Sequence, residues 1–474
     1  MARSMIAMNV FDVIRDRNAD RSASVAVRSG AVVITYGSLL AQASELARTL
    51  QQHGLKPGMG LGIVDRNSPE FVTAMLAGLK CGAVVMPIAS NLTQHEQQQA
   101  ISEAQLHAVL REEDGPVRIG DRRYALELVQ RDQSHIAAHI PDAAFIRFTS
   151  GTTGTAKGVV IGHASVIERI EAANKGLQLG GGDAVVWVLP MAYHFVVSVM
   201  LYLYFGVAIV LSDDLTAASV IEAAEASGAR MLYASPMHIR LLTSDEGTTS
   251  LGPLERIIST SAGSPGDLCR RFQQKFGKPV CQAFGIIEVG LPIINLRNAA
   301  EHPEAIGHAL PGFRVGILDD ELKEVPAGAL GQLAIAGPGL FDGYLQPPTV
   351  RAEVLRNGWF LTGDLATRSA DGLITIAGRS KSVINVAGNK VFPEEVEAVL
   401  SAHPSVLACR VVGGKHPLLG EVVEADVVLV QGSTGDVEEL ISHCRKSLTV
   451  HKLPQRIRFV DQLPVTATGK VKRG

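Results

Sequence analysis

The chain has little net charge to offer a polyanion: 44 Lys and Arg stand against 47 Asp and Glu, for a net charge of -3. Without the basic excess that phosphate backbones select, nucleic acid is not an expected partner. Cysteine is scarce too. Cys81, Cys269, Cys281, Cys409 and Cys444 are scattered, with no CxxC pair and no disulfide-framework spacing, which suits a reducing compartment and small buried hydrophobes. An apolar h-region is missing from Met1 to Asp20, where apolar and charged residues alternate, so no secretory signal is expected and the cytoplasm is the expected location. No run is long enough for a membrane helix either. Phe195 to Leu211 is nearly uncharged, but Gly206 interrupts it, Asp213 and Asp214 close it, and it falls short of the about 20 apolar residues a span needs. It reads as a buried helix ending at Gly206, followed by a core strand from Val207 to Leu211.

What is present is size and alternation. A chain of 474 residues exceeds the roughly 250–300 at which one core stops growing, so more than one folding unit is expected. Leu39, Leu40, Ala43, Leu46, Ala47 and Leu50 recur at helical spacing, and Leu61 to Val64 follows as a buried strand. Ser68-Pro69 then opens a second helix, Gly82 ends it, and Ala83 to Met86 reads as the next strand. This alternation implies an α/β fold: a large N-terminal domain of mainly parallel sheets with packed helices, and ligands at the carboxyl ends of the strands. The last hundred or so residues read differently. Pro393 to Leu400 and Val437 to Leu448 look helical, Val406 to Val412 and Val422 to Val430 look like strands, and together they describe a small α+β C-terminal domain.

The sharpest motif is Phe148-Thr149-Ser150-Gly151-Thr152-Thr153-Gly154-Thr155-Ala156-Lys157-Gly158, after an apolar strand. Its glycines let backbone amides approach an anion, its hydroxyls add donors, and Lys157 supplies a mobile positive charge, so phosphate binding follows from the residue types alone. The GxxxxGK[ST] loop of generic ATPases is not matched, because Lys157 stands three residues after Gly154 and Gly158 follows it. His135 and His139 share helical spacing, but the intervening Ile-Ala-Ala holds no glutamate and no third ligand is evident. They read as packing or surface residues.

Residues 148–158 resemble the phosphate loop of the adenylate-forming superfamily of acyl-CoA synthetases, adenylation domains and luciferases, and further motifs follow in the family's order. Phe284-Gly285-Ile286-Ile287-Glu288 resembles the segment whose aromatic ring packs on adenine and whose glutamate binds magnesium. Gly358 to Asp364 resembles the segment whose aspartate holds the ribose hydroxyls, and Gly378-Arg379-Ser380-Lys381 resembles the hinge before a mobile C-terminal domain. Pro464 to Lys470 resembles the tail carrying the adenylation lysine.

The resemblance implies domains over residues 1–379 and 380–474, with Lys470, Glu288 and Lys157 catalytic. It implies that Thr149, Ser150, Gly151, Thr152, Thr153, Gly154, Lys157, Phe284, Gly285, Asp364, Arg379 and Lys470 contact ATP, and that Glu288 holds Mg2+. His194, Gly263 and Ser264 are expected in the acid pocket, Lys381 at the hinge, and Gly388 in the loop presented to the incoming thiol. The implied reaction turns a carboxylic acid into an acyl-AMP and passes the acyl group to the thiol of coenzyme A or of a carrier protein's phosphopantetheine. An enzyme that spends the adenylate on a group other than a thiol, or a non-catalytic nucleotide or acyl binder, are the alternatives the sequence leaves open.

Departures from the family pattern set limits. Ile287 stands where the family usually carries threonine, and Ala156 replaces a common proline. Pro190-Met191-Ala192-Tyr193-His194 has one residue more before the histidine than the family's Pro-x-x-His. The stretch from His194 to Val199 is apolar and lacks the aspartate that captures an α-amino group, which favours an aliphatic or aryl acid over an amino acid. Arg445, Lys446, Lys452, Arg456, Arg458, Lys470, Lys472 and Arg473 form a local basic excess that phosphates of coenzyme A or an acidic carrier protein could use.

Overall fold

In the computed structural model, the described residues are 8–130, 135–148, 158–212, 214 and 216–464. Short apolar runs bounded by helices form the two main sheets. The first runs, in spatial order, through His308–Ala309, Gly290–Ile294, Val280–Ile286, Arg256–Ser259, Met231–Ala234, Ala184–Trp187, Ala208–Leu211, Val25–Ser29 and Val32–Thr35. Every neighbouring pair from Val280–Ile286 to Val25–Ser29 is parallel. The antiparallel strands lie at its two edges. The second sheet is built the same way around Ala143–Phe148, Val84–Ala89, Gly60–Asp65 and Ala108–Ile119, which are mutually parallel.

Because side chains alternate across a strand, each strand feeds two cores. Val185, Trp187, Tyr233, Ile258, Val85, Phe145, Val159 and Ile161 meet in one cluster with the helices Tyr36–Gln52, Pro69–Lys80 and His163–Leu177, between the two sheets. Their neighbours Val186, Leu232 and Ile257 pack outward against the helices Ala217–Ser227, Pro236–Ser244 and Gly266–Phe276. On the far side of the second sheet, Val84, Met86, Val109, Ile146 and Val160 form a separate core. Strands buried on both faces are what continuous apolar runs require.

A third sheet of Arg314–Leu318, Gly331–Ala336, Phe360–Arg368 and Ile374–Arg379 is wholly antiparallel, which the expectation of mainly parallel sheets does not include. The C-terminal unit has its own core, with the helices Pro393–Ser401 and Val437–Arg445 packed on the hairpin Val406–His416 and Gly420–Leu429. The first of those strands runs four residues past the expected Val412, because Gly413 and Gly414 pair with Val423 and Val422 instead of breaking the ladder. The last helix stops before the expected Leu448: the amides of Ser447 and Leu448 both turn back to the Cys444 carbonyl, closing the end tightly.

Phe195 to Leu211 is buried as expected, in a helix capped by left-handed Gly206 and a strand over Ala208–Leu211. Among the described residues, no helix is long and apolar enough to cross a membrane. All five cysteines are buried and unpaired. His139 Nε2 lies 2.9 Å from the Tyr344 carbonyl oxygen and His135 packs on Gly58, so both serve packing.

Candidate functional site

Some of the residues singled out in the sequence stand where parallel strands end, the place at which such sheets bind ligands, and others stand on the antiparallel third sheet. Phe284 and Gly285 lie on Val280–Ile286, which turns through Ile287, Glu288 and Val289 into Gly290–Ile294. The turn is tight because Gly285 faces the Gly290 carbonyl; an added Cβ would lie 2.6 Å from that oxygen. Phe284 is buried at the edge of the central core. Ile287, at the family's threonine position, also turns its side chain into that core, so no polar group is offered to a phosphate from this position.

Glu288 is half-buried at the tip of this turn, and its backbone carbonyl accepts from Phe341 N at 2.7 Å. Burial, together with the charge of Glu288, raises the pKa of the Tyr344 hydroxyl. Burial raises the acid's pKa above its ordinary 4.5, and the positive charges of Arg147, Arg379 and Arg169 act in the opposite direction. Among the described residues, no group of three or more His, Cys, Asp or Glu side chains stands ready for a metal. A single carboxylate fits Mg2+ nonetheless, since that ion commonly uses one or two protein carboxylates and completes its shell with phosphate oxygens and water.

Asp364 and Arg379 face each other across Phe360–Arg368 and Ile374–Arg379, with Arg379 Nε 2.7 Å from Asp364 Oδ1. Asp364 is 4% exposed, and its amide donates to the Thr362 hydroxyl at 3.1 Å. Since the Arg379 charge also acts on Glu288, one arginine links two motifs far apart in sequence. Lys381 follows in an exposed single turn over Ser380–Ser382. Ala387 and exposed Gly388 make the two-residue turn between Ile384–Val386 and Asn389–Val391, with φ of 50° and 85°, the positive values such hairpin turns require. Thr149, Ser150, Gly151, Thr152, Thr153, Gly154 and Lys157, and likewise Lys470, lie outside the described residues.

His194, expected in the acid pocket, stands against two aromatic rings. Its ring lies 5.7 Å from Trp187 and 6.4 Å from Tyr233, and those two stack at 5.4 Å with an interplanar angle of 9°. Phe195–Val199 winds as a π-helical turn between Met191–His194 and Met200–Phe205. Such a turn holds one residue more than an α-turn. Gly263 is exposed, with nothing crowding its Cα. Ser264 is turned inward instead: its hydroxyl is 2.8 Å from that of Ser259 and its amide donates to Gln282 Oε1 at 2.8 Å. Ser261, which the sequence reading passed over, stands 3.2 Å from His194 Nε2 on a backbone kink at φ 74°.

Two arginines were also missed. Arg169, on His163–Leu177, has no exposed surface; its Nε donates to the Gly339 carbonyl at 2.8 Å and its Nη1 to that of Ile287 at 3.0 Å, pinning the turn that carries Glu288. Arg147 is the penultimate residue of the strand Ala143–Phe148 and donates to the Tyr193 carbonyl. Burial lowers the pKa of both guanidinium groups to about 10. Each had a signal in the sequence: a charge among Val166, Ile170 and Ala173 on an apolar helix face, and a charge near the end of an otherwise apolar strand.

A large α/β body of sheets and packed helices followed by a small α+β unit is the architecture of an adenylate-forming enzyme. The chain belongs to the AMP-binding enzyme family, which matches residues 14–345, and the AMP-binding enzyme C-terminal domain matches residues 395–470. Its relatives include a feruloyl-CoA synthase of an Amycolatopsis species, 28% identical with 95% of each chain covered. A sulfoacetate–CoA ligase of Cupriavidus necator is 30% identical, over 93% of this chain and 91% of the relative. The crystal structure of ATP-bound MatB from Rhodopseudomonas palustris superposes with a TM-score of 0.84 at 26% identity, covering 98% of this chain and 97% of that one. The protein is an acid-activating ligase of the acyl-CoA synthetase type.

Proposed function

We propose that this chain uses ATP and Mg2+ to activate an apolar aliphatic or aryl carboxylic acid and transfers the acyl group to coenzyme A or a carrier-protein phosphopantetheine, in the cytoplasm. The observation that carries the reading is the Asp364–Arg379 pair, whose arginine also acts on Glu288, because it joins a ribose-binding acid to a metal-binding acid in one site. The enclosure of His194 by Trp187 and Tyr233 supports an apolar or aryl acid.

In the first step a carboxylate oxygen attacks the α-phosphorus of ATP, the bond to the bridging oxygen breaks, and pyrophosphate leaves. Two anions must approach, so catalysis is chiefly charge stabilisation and alignment. Glu288 would hold Mg2+, which supplies positive charge to the phosphates; Lys157 would contact the departing pyrophosphate and Lys470 the carboxylate and α-phosphate. In the second step thiol sulfur attacks the acyl carbon, AMP departs with the bonding electrons, and the thiol proton passes to solvent. Residues 1–379 would form the body and 380–474 the mobile domain, turning about Lys381 to present the Gly388 loop to the thiol. The basic stretch offers the acceptor fewer open charges than its composition implies. Lys452 pairs with Glu395, Arg456 with Glu424, and Arg458 with Asp426.

Carboxylate-dependent exchange of labelled pyrophosphate into ATP, run across aliphatic, aryl and amino acids, tests this reading. Exchange with an aliphatic or aryl acid is expected, and exchange confined to amino acids would overturn the assignment of the pocket. Asp364→Ala should raise the KM for ATP steeply, since each charge-assisted hydrogen bond to a ribose hydroxyl contributes about 1.5–3 kcal/mol. An unchanged KM for ATP would remove Asp364 from the nucleotide site.

A further inference from the structure

A buried guanidinium without an anion is costly, because desolvation is not repaid unless its donors find acceptors. Arg169 places its Nε and one Nη on carbonyls, leaving only its other Nη without an acceptor, and so serves to position a turn. Arg147 is less fully met. Its Nη1 reaches the Tyr193 carbonyl and its guanidinium carbon lies 5.3 Å from the centre of the Tyr193 ring, but its Nε is shut off from solvent with no hydrogen-bond acceptor. The hydroxyl of Tyr193 is likewise buried without a partner. Two donors on one stacked pair therefore lack acceptors, and Glu288, whose charge is felt at Arg147, forms no ion pair with it.

The pair stands where the two substrates would meet. Arg147 shares a strand face with Phe145, whose ring lies 6.2 Å from that of Phe195, so it projects into the space between the sheets, away from the outer core that receives Ile146. In sequence, the phosphate motif's Thr149 follows two residues after Arg147, and Tyr193 adjoins His194, which is expected in the acid pocket. Resting on the adenylation reading above, we infer that Arg147 and Tyr193 form a second oxyanion receptor in this active site, binding either the carboxylate of the acid or a phosphate of ATP. Both ligands carry the same chemistry, an oxygen anion able to accept from the Arg147 Nε–H and the Tyr193 O–H together, in an environment where charge-assisted hydrogen bonds are strong. Arg147 is then a catalytic residue that offsets the repulsion between the reacting anions.

Arg147→Met, Arg147→Lys and Tyr193→Phe test this by thermal unfolding and by pyrophosphate exchange. In ligand-free protein, Arg147→Met should raise Tm, because it replaces an uncompensated buried charge by an apolar chain of similar length. The same variant should lose the Tm rise that ATP with Mg2+, or the acid, gives the wild type. In exchange its kcat/KM should fall by about 10²–10³-fold, as when one transition-state charge stabiliser is removed. Arg147→Lys, which keeps the charge but not the Nε donor, should restore part of this, and Tyr193→Phe should lose less than Arg147→Met. A KM raised for the acid alone identifies the carboxylate as the anion, and one raised for ATP alone identifies a phosphate. A lowered ligand-free Tm, with both KM values and both ligand-induced shifts unchanged, would show Arg147 to be a packing residue and overturn the proposal. If the wild type exchanged pyrophosphate with no acid at all, the adenylation reading would fail by itself. The ATP-induced shift would still decide whether Arg147 binds an anion.

Discussion

Glu288→Gln is expected to reduce pyrophosphate exchange by about 10²–10³-fold, the loss seen when a single preorganised charge is taken from a transition state. The amide keeps the shape of the side chain, so the change removes charge and little else. Its stability provides the control. Burial raises the folded-state pKa of Glu288, so the folded protein binds this proton more readily than the unfolded chain does. That contribution to stability is fully present below the ordinary value of 4.5 and is lost as pH rises through the raised pKa. At neutral pH the carboxylate is therefore a cost that glutamine avoids, and the variant should melt no lower than the wild type while being nearly inactive. A variant with the wild-type exchange rate would remove Glu288 from the mechanism, and one that melts far lower would make the acid a structural element.

The second large effect separates the half-reactions. Lys470→Ala should lower adenylate formation by about 10²–10³-fold yet still convert supplied acyl-AMP to thioester. Lys381→Pro should do the reverse. Lys381 sits in an exposed turn directly after the strand that carries Arg379, and proline there fixes φ near -65° and restricts Ser380 before it. A pivot held in one state would keep pyrophosphate exchange and fail at thiol transfer. Equal damage to both half-reactions by the two substitutions would rule out domain rotation about Lys381 and leave Lys470 with a structural role.

Much of this architecture was legible in the residues. The helical spacing of Leu39, Ala43, Leu46 and Leu50 and the apolar run at Leu61 to Val64 correspond to Tyr36–Gln52 and Gly60–Asp65, because periodicity and burial are local consequences of composition. Gly206 ends its helix in the left-handed region, as a glycine at that place in the pattern should. The antiparallel sheet from Arg314–Leu318 to Ile374–Arg379 was not legible, since its order depends on pairings between strands that no local pattern specifies. The ion pairs of Lys452, Arg456 and Arg458 in the basic C-terminal stretch were not legible for the same reason. The partners Glu424, Asp426 and Glu395 are close only after strands and helices pair.

By itself, then, the sequence determined the family and the local motifs: the segments over Phe148 to Gly158, Phe284 to Glu288 and Gly358 to Asp364 are each written in contiguous residues, because each needs only a turn and the right side chains. The tertiary structure alone decided which charges act together. It paired Arg379 with Asp364 while its charge also works against the burial that raises the pKa of Glu288, gave Arg169 two carbonyls and left Arg147 and Tyr193 with donors unmet. The physical reason is that burial and Coulomb interaction depend on distance in space, whereas a sequence records only distance along the chain.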